Sequence, residues 1–561
     1  MARGAERRAR PAAAAPPAEA PLGATPRRIA AVFASFLALA LGVYAPALRG
    51  PFISDDLHYV ATNPYVHALT LENVRAILGP WSPASIFVVN YTPVHLLLHA
   101  LAWQAFGDHV LGHHVVNVVF HAAASSLLVA LLAGSGLPFV AALAGGALFL
   151  LHPANVEAVA WISQLKTTSC MVLSLITLLL FPRRPALATP FFFLALLAKP
   201  TACFLLPVAA VLAWCRAGEG RTGRRIAWLA LWTIGFAVLA VAQIEVNRRN
   251  GTPDLPLELD PALRVRTALA IAARYLAISA SSIGVSAFHE PPRAVSWLDP
   301  WWVASVPALT LLGLRTLSTL KARREEAAWW VFAASSFVPV SQIFPFLYPM
   351  ADRYLYFILP GLIGGSLLAG RDLLLRLHAR APDLAAAAVR PLAIGALALA
   401  LAFGLRSHAR AALWTNPLLL LADAGDHYPD GVAANLLRAR RAAQIGDVDA
   451  AVAALDAAIA RGFNRFEQLE GDPAFAPIRS DPRFRARVAR MADGWIARVA
   501  RLPDPTQMEL HVAAQASLAR GDLDGAARLL ERAARQEGPI GDIVRADLAE
   551  VERRRAAASG R

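Results

Sequence analysis

Two adjacent carboxylates, Asp55 and Asp56, stand in the stretch FISDDLHYV, directly after an apolar run from Ile29 to Leu48. At such a rim an acid pair reads either as a solvated loop cap or as a working group. Other reactive side chains recur beside later apolar runs. Asn90 and Tyr91 open NYTP, and His113, His114, Asn117 and His121 follow at the start of the next run. His152 and Glu157 fall in HPANVEAVAWISQLK, which Lys166 closes; Lys199 stands between two runs; Asp352, Arg353 and Tyr354 fall in MADRYLY. Carboxylates suit proton abstraction from a hydroxyl, and cations suit phosphate. Gathered on one side of a membrane, the set fits a phosphate-linked lipid meeting a hydroxyl acceptor.

The elements that must position these residues are helices in lipid. The chain has 561 residues, 57% hydrophobic and only 17% charged, where soluble domains carry about a quarter charged. Apolar runs recur through the first three quarters. The expected fold is therefore all-α, a polytopic bundle. Spans are expected at 29–48, 112–133, 137–151, 168–181, 186–198, 200–215, 225–246, 301–320, 327–345, 354–370 and 390–406, about eleven in all. The formal charge of +14 sits in short clusters between these runs, which marks topology and not a nucleic-acid partner. Arg27 and Arg28 place the N-terminus inside, so the 49–111 loop lies outside. Residues 1–28, rich in Ala, Pro and Arg, read as a disordered cytoplasmic tail. Counting Leu263–Ile283 as a span would put Lys321–Arg324 outside, so that segment is expected to be interfacial or re-entrant, and Tyr91–Phe106 to lie along the outer interface. Cys170, Cys203 and Cys215 have neither metal-ligand nor disulfide spacing. No D-x-D or His-rich pattern demands a metal; a divalent ion stays open and no cofactor is indicated.

From Ser407 the character changes. Helical periods flank Gly446-Asp447 and again Gly521-Asp522, the pattern of antiparallel helix pairs similar to tetratricopeptide repeats. The expected division is tail 1–28, membrane domain 29–406 and an outer helical-repeat domain 407–561.

In order and spacing, DD after the first span, NY-x-P, H-x-x-N-x-x-x-H, HP-x-x-x-EA, an outer-turn Lys and ADRYLY resemble the transmembrane, tetratricopeptide-repeat-containing O-mannosyltransferases and their bacterial relatives, within the GT-C glycosyltransferase superfamily. The resemblance covers roughly 30–430. It implies a polyprenyl-phosphate-linked sugar donor, mannose-like, and inverting transfer to a hydroxyl, with protein Ser or Thr favoured as acceptor. The Ala and Arg bias suggests a bacterial genome, so an inner-membrane location is expected, with the repeat domain periplasmic by the placing of the basic clusters. One of Asp55 and Asp56 would be the general base, Asp55 preferred. Arg353 with Lys199 or Lys166 would hold the donor phosphate, and Asn90, Tyr91, His114, Asn117, His152, Glu157, Asp352 and Tyr354 would line the substrate site. Structural roles compete for several of these. His114, Asn117 and His121 suit helix-packing hydrogen bonds, His152-Pro153 suits a helix-end turn, and Glu157 suits a partner for a nearby cation. The chain departs from the family pattern at Thr92, Asn155 and Pro200. A carrier of lipid-linked sugar or a membrane-anchored repeat scaffold would be the competing functions.

Overall fold

The computed structural model describes residues 25–88, 90–217, 222–249, 260–343, 349–536, 540–558 and 560. Residues 1–24 of the expected tail lie outside the described residues. The described chain is helical throughout, with a lone antiparallel bridge between His289 and Met350. A helix occupies each of the eleven expected spans. Seven are long and apolar enough to cross a membrane, and the bent pair Phe139–Leu151 and Pro153–Ala160 makes an eighth. The protein is thus an all-α, multi-pass membrane bundle.

The shortest helices explain the difference. Pro185–Ala198, Leu205–Cys215 and Glu326–Phe337 rise only ~1.5 Å per residue, too little for a ~30 Å hydrocarbon core. Pro200 ends the first of them by removing an N–H at the turn. That turn carries Lys199 into the body of the bundle. Pro261–Ser281 is long but carries Arg264, Arg266 and Arg274, and it is not among the spanning helices. It packs on Pro300–Lys321 through Arg274 over Trp301.

Small residues set how closely the helices approach. Asp352–Arg380 lies against Glu326–Phe337. A Cβ at Gly361 would sit 2.3 Å from the backbone nitrogen of Ala333, and Gly364 and Gly365 lie under the rings of Trp329 and Trp330. Any side chain at Gly361 would force these two helices apart.

In the C-terminal region, Val432–Gln444 pairs with Val448–Ala460, and Gln507–Ala519 with Leu523–Ala534. Both turns work alike. Gly446 and Gly521 take positive φ, +76° and +80°, open to glycine at little cost. The following Asp then caps the next helix: Asp447 accepts from Ala450 N–H at 3.0 Å and Asp522 from Gly525 N–H at 2.8 Å. The intervening chain is a short helix, a 3-10 turn and the long helix Pro482–Arg501.

This region does not stand apart from the bundle. One apolar cluster joins Tyr59, Val60, Val66 and Ile77 to Leu510, Ala513 and Leu530. The segment 286–290 is clamped as well. Asp423 accepts from Ala287 N–H at 2.8 Å, and Glu290 accepts from Val432 N–H at 2.9 Å. The C-terminal helices therefore cover the end of the bundle that carries residues 49–111, its loop face.

Candidate active site

The two adjacent acids have different surroundings. Asp56 is buried. Its Oδ2 accepts from Ile53 N–H at 3.1 Å, and its Oδ1 from Ser163 N–H at 2.6 Å. It stitches the loop after the first span to the segment after Glu157, and Trp161 Nε1 donates back to Ile53 O at 3.3 Å. Burial pushes the Asp56 carboxyl up to about 7, against the pull of both N–H donors. Successive helical residues diverge by ~100°, and Ser54, at φ +49°, sets the turn. Asp55 consequently lines a cavity of about 410 Å³. It is half-buried, and no hydrogen bond or ion pair engages its carboxylate among the described residues.

Three cations line the same cavity: Lys166, Lys199 and Arg353. Each is held by the fold. Glu157, 4% exposed, accepts from Arg353 N–H at 2.7 Å and pairs with the Arg353 guanidinium through its other oxygen. Lys199 Nζ donates to Thr167 Oγ1 at 2.8 Å and lies 5.3 Å from the Phe357 ring. Lys166 Nζ lies 4.4 Å over Tyr59. Asp55 is the one carboxylate among the described lining residues. Basic side chains thus outnumber the single acid that lines the cavity.

The remaining sequence candidates divide. Asn90 and Tyr354 line the cavity; Asn90 donates to the Tyr59 hydroxyl at 2.8 Å. Tyr91 lines an adjoining hollow instead, and its hydroxyl donates to Leu78 O at 2.9 Å. His114, Asn117, His152 and Asp352 lie outside the lining and bind the framework. His114 Nε2 meets Gly50 O at 3.1 Å, and Asn117 donates to Trp161 O at 2.9 Å. His121 bridges the Tyr356 hydroxyl and Leu150 O. His152 Nδ1 accepts from Ala154 N–H at 3.1 Å, forming the turn. Asp352 accepts from Ser286 N–H at 3.0 Å and contacts His289 Nε2 at 2.7 Å.

Sequence reasoning passed over Tyr59, Gln164, Gln243, Asn247, Ser336 and Phe357, which also line the cavity. Gln243 and Asn247 carried a signal. They are an i,i+4 amide pair inside an apolar run, joined at 2.8 Å. Gln243 also accepts from Tyr91 N–H at 3.1 Å. The departures from the family pattern are placed too. Thr92 and Pro200 line the cavity, and Asn155 donates to Phe149 O at 2.6 Å.

Pro200, Thr201, Gln243 and Pro339 are shared with the adjoining hollow, about 340 Å³, walled by Leu196, Phe236, Leu239 and Ile244. A polar chamber thus opens into an apolar groove against the spanning helix Thr222–Asn247. Among the described residues no group of three or more His, Cys, Asp or Glu is arranged to hold a metal.

Parts of the chain are similar to two known proteins. Protein O-mannosyl-transferase F38B6.6 of Caenorhabditis elegans is 28% identical over 184 residues, which is 31% of this chain and 26% of that protein. Protein O-mannosyl-transferase Tmtc1 of Drosophila melanogaster is 37% identical over 127 residues, which is 22% of this chain and 15% of that protein. The matched stretches cover well under a third of either relative's length. No model of a protein family and no solved structure matches. Over these stretches the chain is similar to protein O-mannosyl-transferases.

Proposed function

We propose that this protein is a GT-C-type membrane glycosyltransferase moving a mannose-like sugar from a polyprenyl-phosphate donor to a hydroxyl on a polypeptide, at the extracytoplasmic face of a bacterial inner membrane. One observation carries the reading: a lone unpaired carboxylate, Asp55, shares a cavity with three cations, and that cavity runs into an apolar groove beside a spanning helix. The groove suits an isoprenoid tail, and Lys166, Lys199 and Arg353 suit the phosphate. The acceptor hydroxyl attacks the anomeric carbon as the carbon–oxygen bond to phosphate breaks. Asp55 takes the hydroxyl proton. The bonding electrons leave on the phosphate, where the cations stabilise the added charge. Attack opposite the leaving group inverts the anomeric carbon. Glu157 acts through Arg353, and Asp56 acts by holding the turn that presents Asp55. The partial similarity to protein O-mannosyl-transferases supports the acceptor class.

The test uses purified protein in nanodiscs with polyprenyl-phosphate mannose and a peptide bearing Ser and Thr as acceptor. Wild-type protein should release polyprenyl phosphate, and D55A should abolish release while remaining folded. Release that persists in D55A removes the base assignment, and no release by wild-type protein from any polyprenyl-phosphate sugar removes the reading.

A further inference from the structure

A second concavity lies where the 288–293 segment meets the C-terminal helices. It encloses about 770 Å³, with Glu290, Pro349, Tyr428 and Arg461 among its walls. At Gly462, Phe463 and Asn464 it joins a further hollow of about 400 Å³ beside Trp495. The shared residues make the two one trough across the helical region.

Its charge is lopsided. Arg461, Arg465 and Arg490 line it, with Arg293 and Arg498, which are engaged elsewhere, and with the carboxylates of Glu290 and Asp430. Arg461, Arg465 and Arg490 are exposed. Arg465 reaches Glu467 only at 3.7 Å between half-exposed side chains, a weak pairing. Glu290 supplies a second cue. Its Oε1 accepts from Val432 N–H, while its Oε2 is buried with no hydrogen-bond partner. A buried carboxylate oxygen left unpaired is unfavourable, and an amide N–H from an occupant would satisfy it. Trp495, fixed by its Nε1 donating to Asn464 O at 3.0 Å, offers a rigid apolar face. An elongated channel with excess cations, an amide acceptor and an aromatic wall fits an extended polypeptide bearing carboxylates.

The trough also abuts the catalytic cavity. Pro349 walls the trough, whereas Arg353 and Tyr354 wall the cavity, so one short segment separates them. His289, which lines the trough, contacts the Tyr428 hydroxyl at 3.0 Å and, at 2.7 Å, Asp352, the neighbour in sequence of the cavity residue Arg353.

We propose that this trough seats an acidic, extended segment of the acceptor polypeptide and presents a neighbouring hydroxyl to the cavity; the delivery step rests on the glycosyltransferase reading. The test is direct binding. Full-length protein in phosphatidylcholine nanodiscs is titrated with a fluorescent Thr-containing peptide rich in Asp and Glu, and with the same peptide carrying Lys instead. The acidic peptide should bind in a salt-sensitive manner, about tenfold weaker to R461E/R465E/R490E, and the Lys peptide should show the opposite preference. Equal binding of the acidic peptide to both proteins overturns the trough, as does equal binding of the two peptides to wild-type protein. Arginine-dependent binding of phosphatidylglycerol vesicles without peptide binding also overturns it, since the face would then serve lipid. In transfer assays the reversal variant should raise KM for the acidic peptide about tenfold, with kcat and donor hydrolysis as in wild type. Arginine-dependent binding without any sugar transfer would sink the enzyme reading and leave the trough standing. Transfer indifferent to the arginines would do the reverse.

Discussion

The two ends of the bundle treat charge in opposite ways. At the end remote from residues 49–111, Glu325, Glu326 and Asp372 are each ion-paired. Arg315 meets Glu326 through two nitrogens at 2.6 and 2.7 Å, Asp372 gathers Arg315, Arg324 and Arg371, and Glu325 meets Arg216 at 2.5 Å. Asp372 lies on the same helix as Asp352, roughly 30 Å along it at 1.5 Å per residue. At the loop face, by contrast, three basic side chains share a cavity with one acid, and among the described residues only Arg353 of the three has a carboxylate partner. Buried charge of one sign is unfavourable unless something neutralises it. At the remote end the carboxylates are taken up by the protein's own arginines. At the loop face the carboxylate of Asp55 stays unpaired among the described residues, beside basic side chains that outnumber it.

The sharpest way to break that contrast is at the adjacent acids. D55N should lower the rate of sugar transfer by about 10²–10⁴-fold, the usual worth of a general base, with little change in melting temperature. D56A should act through the fold. It strands the buried N–H groups of Ile53 and Ser163, at about 1–3 kcal/mol each, and should appear as reduced thermal stability and yield in detergent. If D56A melted like wild type and D55N did not, the division of labour would be reversed.

Next in size are the cations. R353A should lower kcat/KM by about 10²-fold, most of it in steps that involve the donor phosphate. E157Q should give a smaller loss in the same direction, because it loosens Arg353 without removing it. At the remote end, E326A should lower stability by about 2 kcal/mol, breaking a largely buried pair. Activity per folded molecule should be unchanged. An E326A enzyme that stayed folded but lost turnover would show that charge at the two ends is coupled.

Much of this contrast was legible in the residues, and the reason lies in lipid. Spans announce themselves by composition, so a helix stands in each of the eleven expected segments. The Gly-Asp turns at 446–447 and 521–522 were legible because positive φ and N-capping are local demands. The division between Asp55 and Asp56 was only half legible. Divergence of neighbours follows from helix geometry, but which one turns inward depends on Ser163, more than a hundred residues away. His114, Asn117 and Asp352 have the polar types of a site, yet they hold backbone across segment junctions. Spacing cannot tell a side chain that faces a cavity from one that closes a turn. Gln243 and Asn247 show the converse, since their approach to Asn90 and Thr92 is tertiary.

The smallest expected effect sharpens the comparison within the acid pair. Burial raises the folded-state Asp56 carboxyl from 3.8 to about 7. Between those values the folded protein holds a proton that the unfolded chain has released. Asp56 therefore contributes stability that is full below about pH 4 and lost as pH rises through about 7. D56N keeps the side-chain volume and abolishes the titration, though its amide cannot accept from both N–H donors. Melting curves in detergent between pH 5 and 8 should show wild type losing a few degrees relative to the pH trend of D56N, on the order of 2 °C per kcal/mol. The difference should grow steadily from pH 5 and level off above about pH 7. Parallel trends in the two proteins would mean that Asp56 stays ionised throughout, held by the Ile53 and Ser163 donors. The turn presenting Asp55 would then be set by charge-assisted hydrogen bonds at every working pH.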